Sequence, residues 1–538
     1  MRRALFAANQ SLINDAIEEH GAGFRRYEAR YQETVRTIRA PSSYSALIGA
    51  TRGAKVTLVG DYHTLSSAQR TFHDILEAQP ADEPAVIALE MLLGRHQEEI
   101  DRFLSGSIRE STFLRRVDLP RRWPFGSFDV MRPIFDLARM RGWKILGIDR
   151  EASGVSSLPT RDRFAAERIA EALRGRPDAR AFVLVGECHL APAHLPRAVR
   201  ESLGRRAVDG RVVRVHQNPE AIWFELDSRG LADEHDVLAL DEDAFALFTA
   251  SPLVCQQSFL TWLEQAEEGS PAAPIEDADS GRRLVEQSWA VLGRALDLPV
   301  RGLSSRVEVV GPGDLSFFER LAFHFDRREL RQIRNQVLSS ESYYVPRAHL
   351  IYLATLSLSH AAEEAAHALR HHLSGEGLDD PISLVDAFYS RVMNEALGFL
   401  GSKLVNPKRP CARPDDLEAL LAEDDAEGGR VLSALDRRAA ELVLAHKRME
   451  RGARAPELDS VFRGSPELFN GVTHLLGYIL GEQLYFSLVR GRLPVREVRA
   501  LFFEPFEDEG TAMLAYFELV GRSSRARPRR SPLPAAAG

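Results

Sequence analysis

The chain has 538 residues, 44% hydrophobic and 27% charged, the proportions of an ordinary globular protein with roughly three or four domains by length. A formal net charge of −8 excludes a general nucleic-acid binder, because neutralising phosphates requires a basic surface. Cys188, Cys255 and Cys411 match no disulfide framework or metal-ligand spacing, no apolar run reaches the length of a membrane span, and no signal-peptide or lipoprotein pattern is seen, so the expected location is the cytoplasm.

Residues 1–41 read as a polar helical arm, helical over about 8–38, that would pack on a neighbouring domain or on a second copy in a homodimer. Strand and helix then alternate: strands at 55–60, 85–90 and 144–149, helices at 66–78, 95–104, 130–141 and 160–174, and further strands at 211–216 and 221–226. That alternation predicts βαβ units and an α/β domain over 42–310 with a mostly parallel sheet flanked by helices. An irregular subdomain is expected at about 227–300, where acidic and proline-containing stretches such as Glu267–Pro274 interrupt the pattern. Residues 311–520 carry helical spacing at 315–338, 346–372, 383–404, 429–450 and 465–488, separated by loops at 409–414 and 424–429, and predict a C-terminal all-α helical bundle. A disordered basic tail is expected at 521–538.

Two stretches stand out. Lys55-Val-Thr-Leu-Val-Gly-Asp-Tyr-His63 and Ala181-Phe-Val-Leu-Val-Gly-Glu-Cys-His189 are both short apolar, β-branched runs that end in Gly, an acid, one variable residue and His. Ligands of open parallel sheets bind beyond the carboxyl ends of the strands, so both acid-x-His pairs should emerge at a ligand crevice. Strand ends also supply Glu90 and Asp149, and Arg161-Asp-Arg163 opens the helix that follows. Imidazole with carboxylate serves either zinc, iron and manganese or general acid–base chemistry, and a rim guanidinium would receive negative charge. Asp149 is read as a helix cap, and Tyr62 and Cys188 as either liners or ligands.

The stretch 42–226 resembles the ChaN-like haem-binding domains of the TIKI superfamily, which also takes in TraB-type proteins and erythromycin esterases. The resemblance runs in order through Gly60-Asp-Tyr-His63, Leu89-Glu-Met91, Phe103-Leu-Ser-Gly106, the Trp123 region, Arg161–Ile169 and Gly186-Glu-Cys-His189. Asp61 stands where the family usually has Glu. The resemblance implies that His63, Glu90, Arg161 and His189 converge in one pocket, and it leaves two functions open. In one, linked to haem or iron uptake, the protein binds haem or iron through Tyr62, His63 or His189. In the other it is a metal-dependent hydrolase, in which His63, Glu90 and His189 hold a divalent ion such as zinc or manganese, or activate water, and Arg161 receives substrate charge.

The bundle sequence offers a second constellation. In the run 359–371, His360, Glu363, Glu364, His367 and His371 share one helical face that continues the apolar positions Leu353 and Leu356. Glu-x-x-His on a bundle helix suits a carboxylate-rich metal site, with Glu395, His474 and Glu482 as candidate further ligands, whereas a hydrogen-bonded core cluster would pair the same groups with arginine.

Overall fold

The computed structural model describes all residues except 17–21, 151–157, 207, 209, 233, 269–278, 340, 376–382, 425–431, 454–460, 462–463 and 524–538. Most of the acidic and proline-containing stretch Glu267–Pro274, most of the 424–429 loop and nearly all of the basic tail therefore lie outside the described residues. The chain divides into two compact units, residues 1–267 with 271–278, and 268–270 with 279–538.

The first unit is built on an eight-stranded sheet: β1 (Ala40–Pro41), β2 (Val56–Asp61), β3 (Ala85–Leu93), β4 (Lys144–Asp149), β5 (Arg180–Gly186), β6 (Val212–Gln217), β7 (Val237–Ala239) and β8 (Ala244–Leu247). Their order across the sheet is β1-β7-β8-β6-β2-β5-β3-β4, and every pairing is parallel except those made by β7. The central strands are buried along their whole length, which explains their near-continuous apolar sequences. Alternate side chains feed two cores. Val59, Ile87, Leu89, Phe182 and Leu184 pack with the helices Ser66–Glu77 and Arg132–Arg141, while Leu58, Val86, Ala88, Val183 and Val185 pack with Leu158–Arg174 and Leu195–Arg205.

Two expectations need correction here, and the arm packs as one of its two expected alternatives. Residues 221–226 form part of a helix, Glu220–Ser228, since a short apolar run fits a buried helix as well as a strand. The irregular 227–300 region contains β7 and β8, which extend the sheet, and the helices Pro252–Glu268 and Ser280–Leu296. The arm is two helices, Arg2–Ala16 and Ala22–Thr34, and it packs on its own α/β unit: Phe6 meets Phe224 edge-on at 5.1 Å, and Tyr31 joins the core around Trp223 and Leu238.

The second unit is helical, as expected of the C-terminal region, and adds a small sheet of β9 (Glu308–Val310), β10 (Tyr343–Val345) and β11 (Leu350–Tyr352). Helical spacing at 346–372 misleads before Leu358, because Pro346 and the left-handed His349 turn a hairpin there. The 315–338 pattern is two helices, Phe317–Leu321 and Arg327–Leu338, the second started by a capping box of Asp326 and Glu329. Long helices Leu358–Ser374, Leu384–Val405, Ala434–Met449 and Pro466–Val489 follow, and Thr511–Ser523 extends into the start of the expected tail. Among the described residues, no helix is long and apolar enough to cross a membrane.

One irregularity of the sheet positions the site. Leu89 pairs with Gly147 but Leu93 pairs with Asp149, so β3 carries extra residues at Glu90–Leu92 and bulges against β4. Gly147 permits it, because a Cβ there would lie 2.4 Å from the Leu93 carbonyl oxygen. Gly147→Ala should therefore destabilise the unit by about 1–3 kcal/mol, read by urea denaturation. A variant as stable as the parent would show that the bulge is not held by this contact.

Candidate functional site

β5 lies between β2 and β3, so residues leaving β2 and β3 must reach over the end of β5 to meet. Gly186 ends β5 and allows this: a Cβ there would sit 3.4 Å from the His63 ring and 3.5 Å from Glu90 Oε2. The glycine of the first motif does a different job, since a Cβ on Gly60 would strike the Glu187 carboxylate at 1.8 Å. The echoed sequences therefore place their acids differently. Asp61 faces His63, whereas Glu187 turns beneath Gly60 to accept from the Tyr31 hydroxyl at 2.8 Å and the Gln217 backbone N–H at 2.5 Å.

Glu90 is the centre of the site and is 8% exposed. Oε2 accepts from the Gly186 N–H at 2.7 Å, and Oε1 accepts from Arg161 Nη2 at 2.6 Å with His189 Nε2 3.5 Å away. Burial alone would push its carboxyl up, but the charges of His189, His63 and Arg161 and the His189 hydrogen bond hold it well below the usual carboxylate range. His189 is buried as well. Its Nδ1 donates to Asp162 Oδ1 at 2.6 Å, and Tyr27 donates from its hydroxyl to Asp162 Oδ2 at 2.8 Å. Burial opposes the imidazolium, yet Glu90 and Asp162 outweigh it and raise the histidine to about 9.

His63 is arranged differently. Its Nδ1 donates to Asp61 Oδ2 at 2.9 Å, and Gln69 fixes the other Asp61 oxygen at 2.5 Å. Nε2 makes no hydrogen bond among the described residues, and the side chain is 26% exposed, at the edge of a cleft. Trp123 meets the ring edge-on at 4.4 Å and Phe125 lies 5.1 Å away, with Trp262 behind Phe125 at 5.0 Å. The cleft measures about 580 Å³, including its open mouth. Despite its burial, His63 has a raised pKa, because Asp61 accepts its proton and Asp61 and Glu90 lend negative charge.

Glu90, Arg161 and His189 are thus in direct contact, with His63 across Gly186 from Glu90. Other expected members are elsewhere. The buried Tyr62 phenol feels Cys255 and Glu220 rather than this cluster, and burial pushes it far above its ordinary value. Side chains alternate along an extended strand end, so Asp61 and His63 share a side that Tyr62 does not. Cys188 is in similar surroundings, raised by burial and by Glu28 and Glu187. Arg161 also donates from Nε to Asp149 Oδ1 at 2.6 Å, so Asp149 braces it rather than only capping a helix. Arg163 is exposed and donates to Thr160. As a metal set, His63, Glu90 and His189 are not assembled: among the described residues, the groups whose ligand atoms all lie within 4.8 Å of one another are His73/Asp74/Glu77 and Glu363/Glu395/His474.

Tyr27 escaped the sequence analysis. It comes from the N-terminal arm, stacks on His194 at 3.6 Å and 5° and is 162 residues distant in sequence from the histidine it touches, with no motif to announce it.

In the second unit, the residues expected to share a metal on one helix separate. His360 contacts Thr355 at 3.2 Å, and Glu364 accepts from His367 Nδ1 at 3.3 Å. Glu482 pairs with Arg413 at 3.2 Å and Lys403 at 3.8 Å. Glu363 meets Glu395 and His474 instead.

The fold and site together define an α/β protein with a strand-end His–Glu–Arg cluster. Residues 47–158 match the family described as haem-binding uptake, Tiki superfamily, ChaN. Among solved structures, the chain is similar to one titled "Cofacial heme binding to ChaN of Campylobacter jejuni", at 14% identity, TM-score 0.28, over 38% of this chain and 91% of that one. It is also similar to the type III effector HopBA1, at 13% identity, TM-score 0.28, over 40% of this chain and 96% of that one. No curated protein matches.

The His189 arrangement predicts a pH dependence. A raised histidine stabilises the fold fully below its unfolded value of about 6.5, and that stability is lost as pH rises through about 9. Urea denaturation should therefore show stability falling by a few kcal/mol across that window, with a flatter curve for His189→Gln. Equal slopes for parent and variant would mean that His189 is not the group titrating.

Proposed function

We propose that the first unit binds haem or a related iron complex at the aromatic cleft, with His63 as the residue that meets iron. The observation that carries this reading is the state of His63: Nδ1 is committed to Asp61, Nε2 makes no hydrogen bond among the described residues, and the ring meets Trp123 and Phe125 at the cleft. A histidine whose far nitrogen donates to a carboxylate is the common form of a metal-ligating imidazole, because that bond fixes the ring and makes the free nitrogen more basic. Met91 and Leu119 add apolar wall to the cleft, which suits the apolar face of a porphyrin. Haem bound there would supply redox or ligand-exchange chemistry at iron, and this chain would supply the axial nitrogen and the cleft. The family match over residues 47–158 supports the same ligand class. His189 is not a second axial ligand in this reading. With both nitrogens protonated it has no lone pair to offer, and it serves to keep Glu90 charged.

A second reading rests on the same dyad. Asp61–His63 has the order of a general base and its orienting carboxylate, and a water in the cleft beside the ring would be the nucleophile it activates. Arg161 is held by Glu90 and Asp149 through Nη2 and Nε in that version.

Haem titration separates the two. The parent should develop a Soret band with one haem per chain, His63→Ala should lose it or weaken binding about tenfold or more, and Tyr62→Phe should leave it unchanged. A parent without a Soret shift that hydrolyses generic esters, with activity lost in His63→Ala, would replace the haem reading with the hydrolytic one.

A further inference from the structure

The second unit holds a group of side chains that the first unit's chemistry does not use. Glu363 comes from the helix Leu358–Ser374, Glu395 from Leu384–Val405 and His474 from Pro466–Val489, and one ligand atom of each lies within 4.8 Å of the other two. Three separate helices thus present two carboxylates and an imidazole to one spot. Close packing makes this geometry: a Cβ on Gly477 would lie 2.3 Å from Glu395 Cβ, and one on Gly481 would lie 2.5 Å from the Ala396 carbonyl oxygen. Larger residues at these positions would hold the two helices apart and separate Glu395 from His474.

One of the two carboxylates is half satisfied. Glu363 Oε2 accepts from Arg409 Nη2 and from the Tyr478 hydroxyl, both at 2.7 Å, which fixes the carboxylate plane. Its Oε1 is buried with no hydrogen-bond partner among the described residues, on a residue only 4% exposed. Glu395 is engaged through both oxygens, Oε1 paired with Arg391 at 2.9 Å and Oε2 accepting from His474 Nδ1 at 3.1 Å. A buried carboxylate oxygen without a partner bears a desolvation cost that native proteins offset with a proton donor, a water or an ion.

We propose that Glu363, Glu395 and His474 bind a first-row divalent cation, with Glu363 Oε1 as its buried oxygen ligand. Two oxygens and one imidazole nitrogen suit zinc, manganese or ferrous iron, which bind such atoms at about 2.0–2.2 Å and would draw the three groups inward by side-chain rotation. The remaining oxygens stay with their arginines, which are the outer partners that keep ligating carboxylates in place. His474 is 47% exposed, so the ion has a way in from solvent and open positions for water. The other compact group, His73, Asp74 and Glu77, lies within one helix with both of its carboxylates exposed and no buried unpartnered atom, and it carries no such argument.

The test is calorimetric titration of the full chain, stripped of metal with a chelator that is then removed, using Zn²⁺ and Mn²⁺ separately. One saturable ion per chain is expected for the parent and for His63→Ala. His474→Ala and Glu363→Gln should each lose about tenfold or more in affinity, since removing a ligand costs at least as much as removing an outer partner. Should Glu363→Gln fail to fold, shown by circular dichroism, His474→Ala decides, because a half-exposed ring can be removed without opening the core. No binding by the parent, unchanged affinity in His474→Ala, or loss of the ion in His63→Ala would each overturn the proposal.

Discussion

The first unit depends on keeping one carboxylate, Glu90, ionised inside the protein at the ends of buried strands. An isolated buried charge costs several kcal/mol, or the group takes up a proton instead. The surrounding structure supplies what prevents that: the Gly186 N–H, Arg161, and the two histidines of the echoed motifs. Each partner then needs its own support, and the network spreads outward from Glu90. Asp149 braces Arg161, Asp162 fixes His189, Tyr27 reaches Asp162 from the N-terminal arm, and Asp61 fixes His63. Arg161 and Asp162 are consecutive in the first turn of one helix, so a single element serves both the carboxylate and the histidine opposite it.

This arrangement divides two similar motifs into two roles. His189 is enclosed between Glu90 and Asp162 and carries a proton as part of the scaffold. His63 has one carboxylate on Nδ1, keeps Nε2 clear and borders the cleft, so it is the residue with chemistry to offer. The difference arises from position in the sheet: β5 is central and its exit is covered by the arm through Tyr27, whereas the exit of β2 opens toward Trp123 and Phe125. The proposed cation site uses related physics in the other unit, where Glu363 is anchored through one oxygen and leaves the other available.

The parallel sheet could be read from the sequence because strands buried on both faces need continuous apolar runs, and 55–60, 85–90, 144–149 and 181–185 have them. His63, Glu90 and His189 were accessible for the same reason, since they mark strand ends. What the pattern does not encode is strand order, and that is what places β5 between β2 and β3 and sends Glu187 under Gly60 rather than into the site. The 221–226 run misled because an apolar stretch of six residues suits either a buried helix or a strand. Tyr27 lies in the helical arm and Phe125 beside Trp123, but neither position was marked by a residue pattern of its own, and Tyr62 was placed with His63 although alternation sends neighbouring side chains to opposite sides. In the helical unit, shared spacing on one helix suggested His360, Glu363, Glu364 and His367 as a group, yet only Glu363 points to groups from two other helices that no single-helix pattern contains.

The claim on which the account rests most directly is that His189 is an imidazolium held by Glu90 and Asp162. Long-range ¹⁵N NMR of the histidine side chains, assigned by comparison with His189→Gln, reads this at about pH 8, between its ordinary value of 6.5 and the raised value of about 9. The account predicts both His189 nitrogens protonated at that pH. A neutral His189 with one unprotonated nitrogen would contradict it, and would return His189 to the set of available ligands.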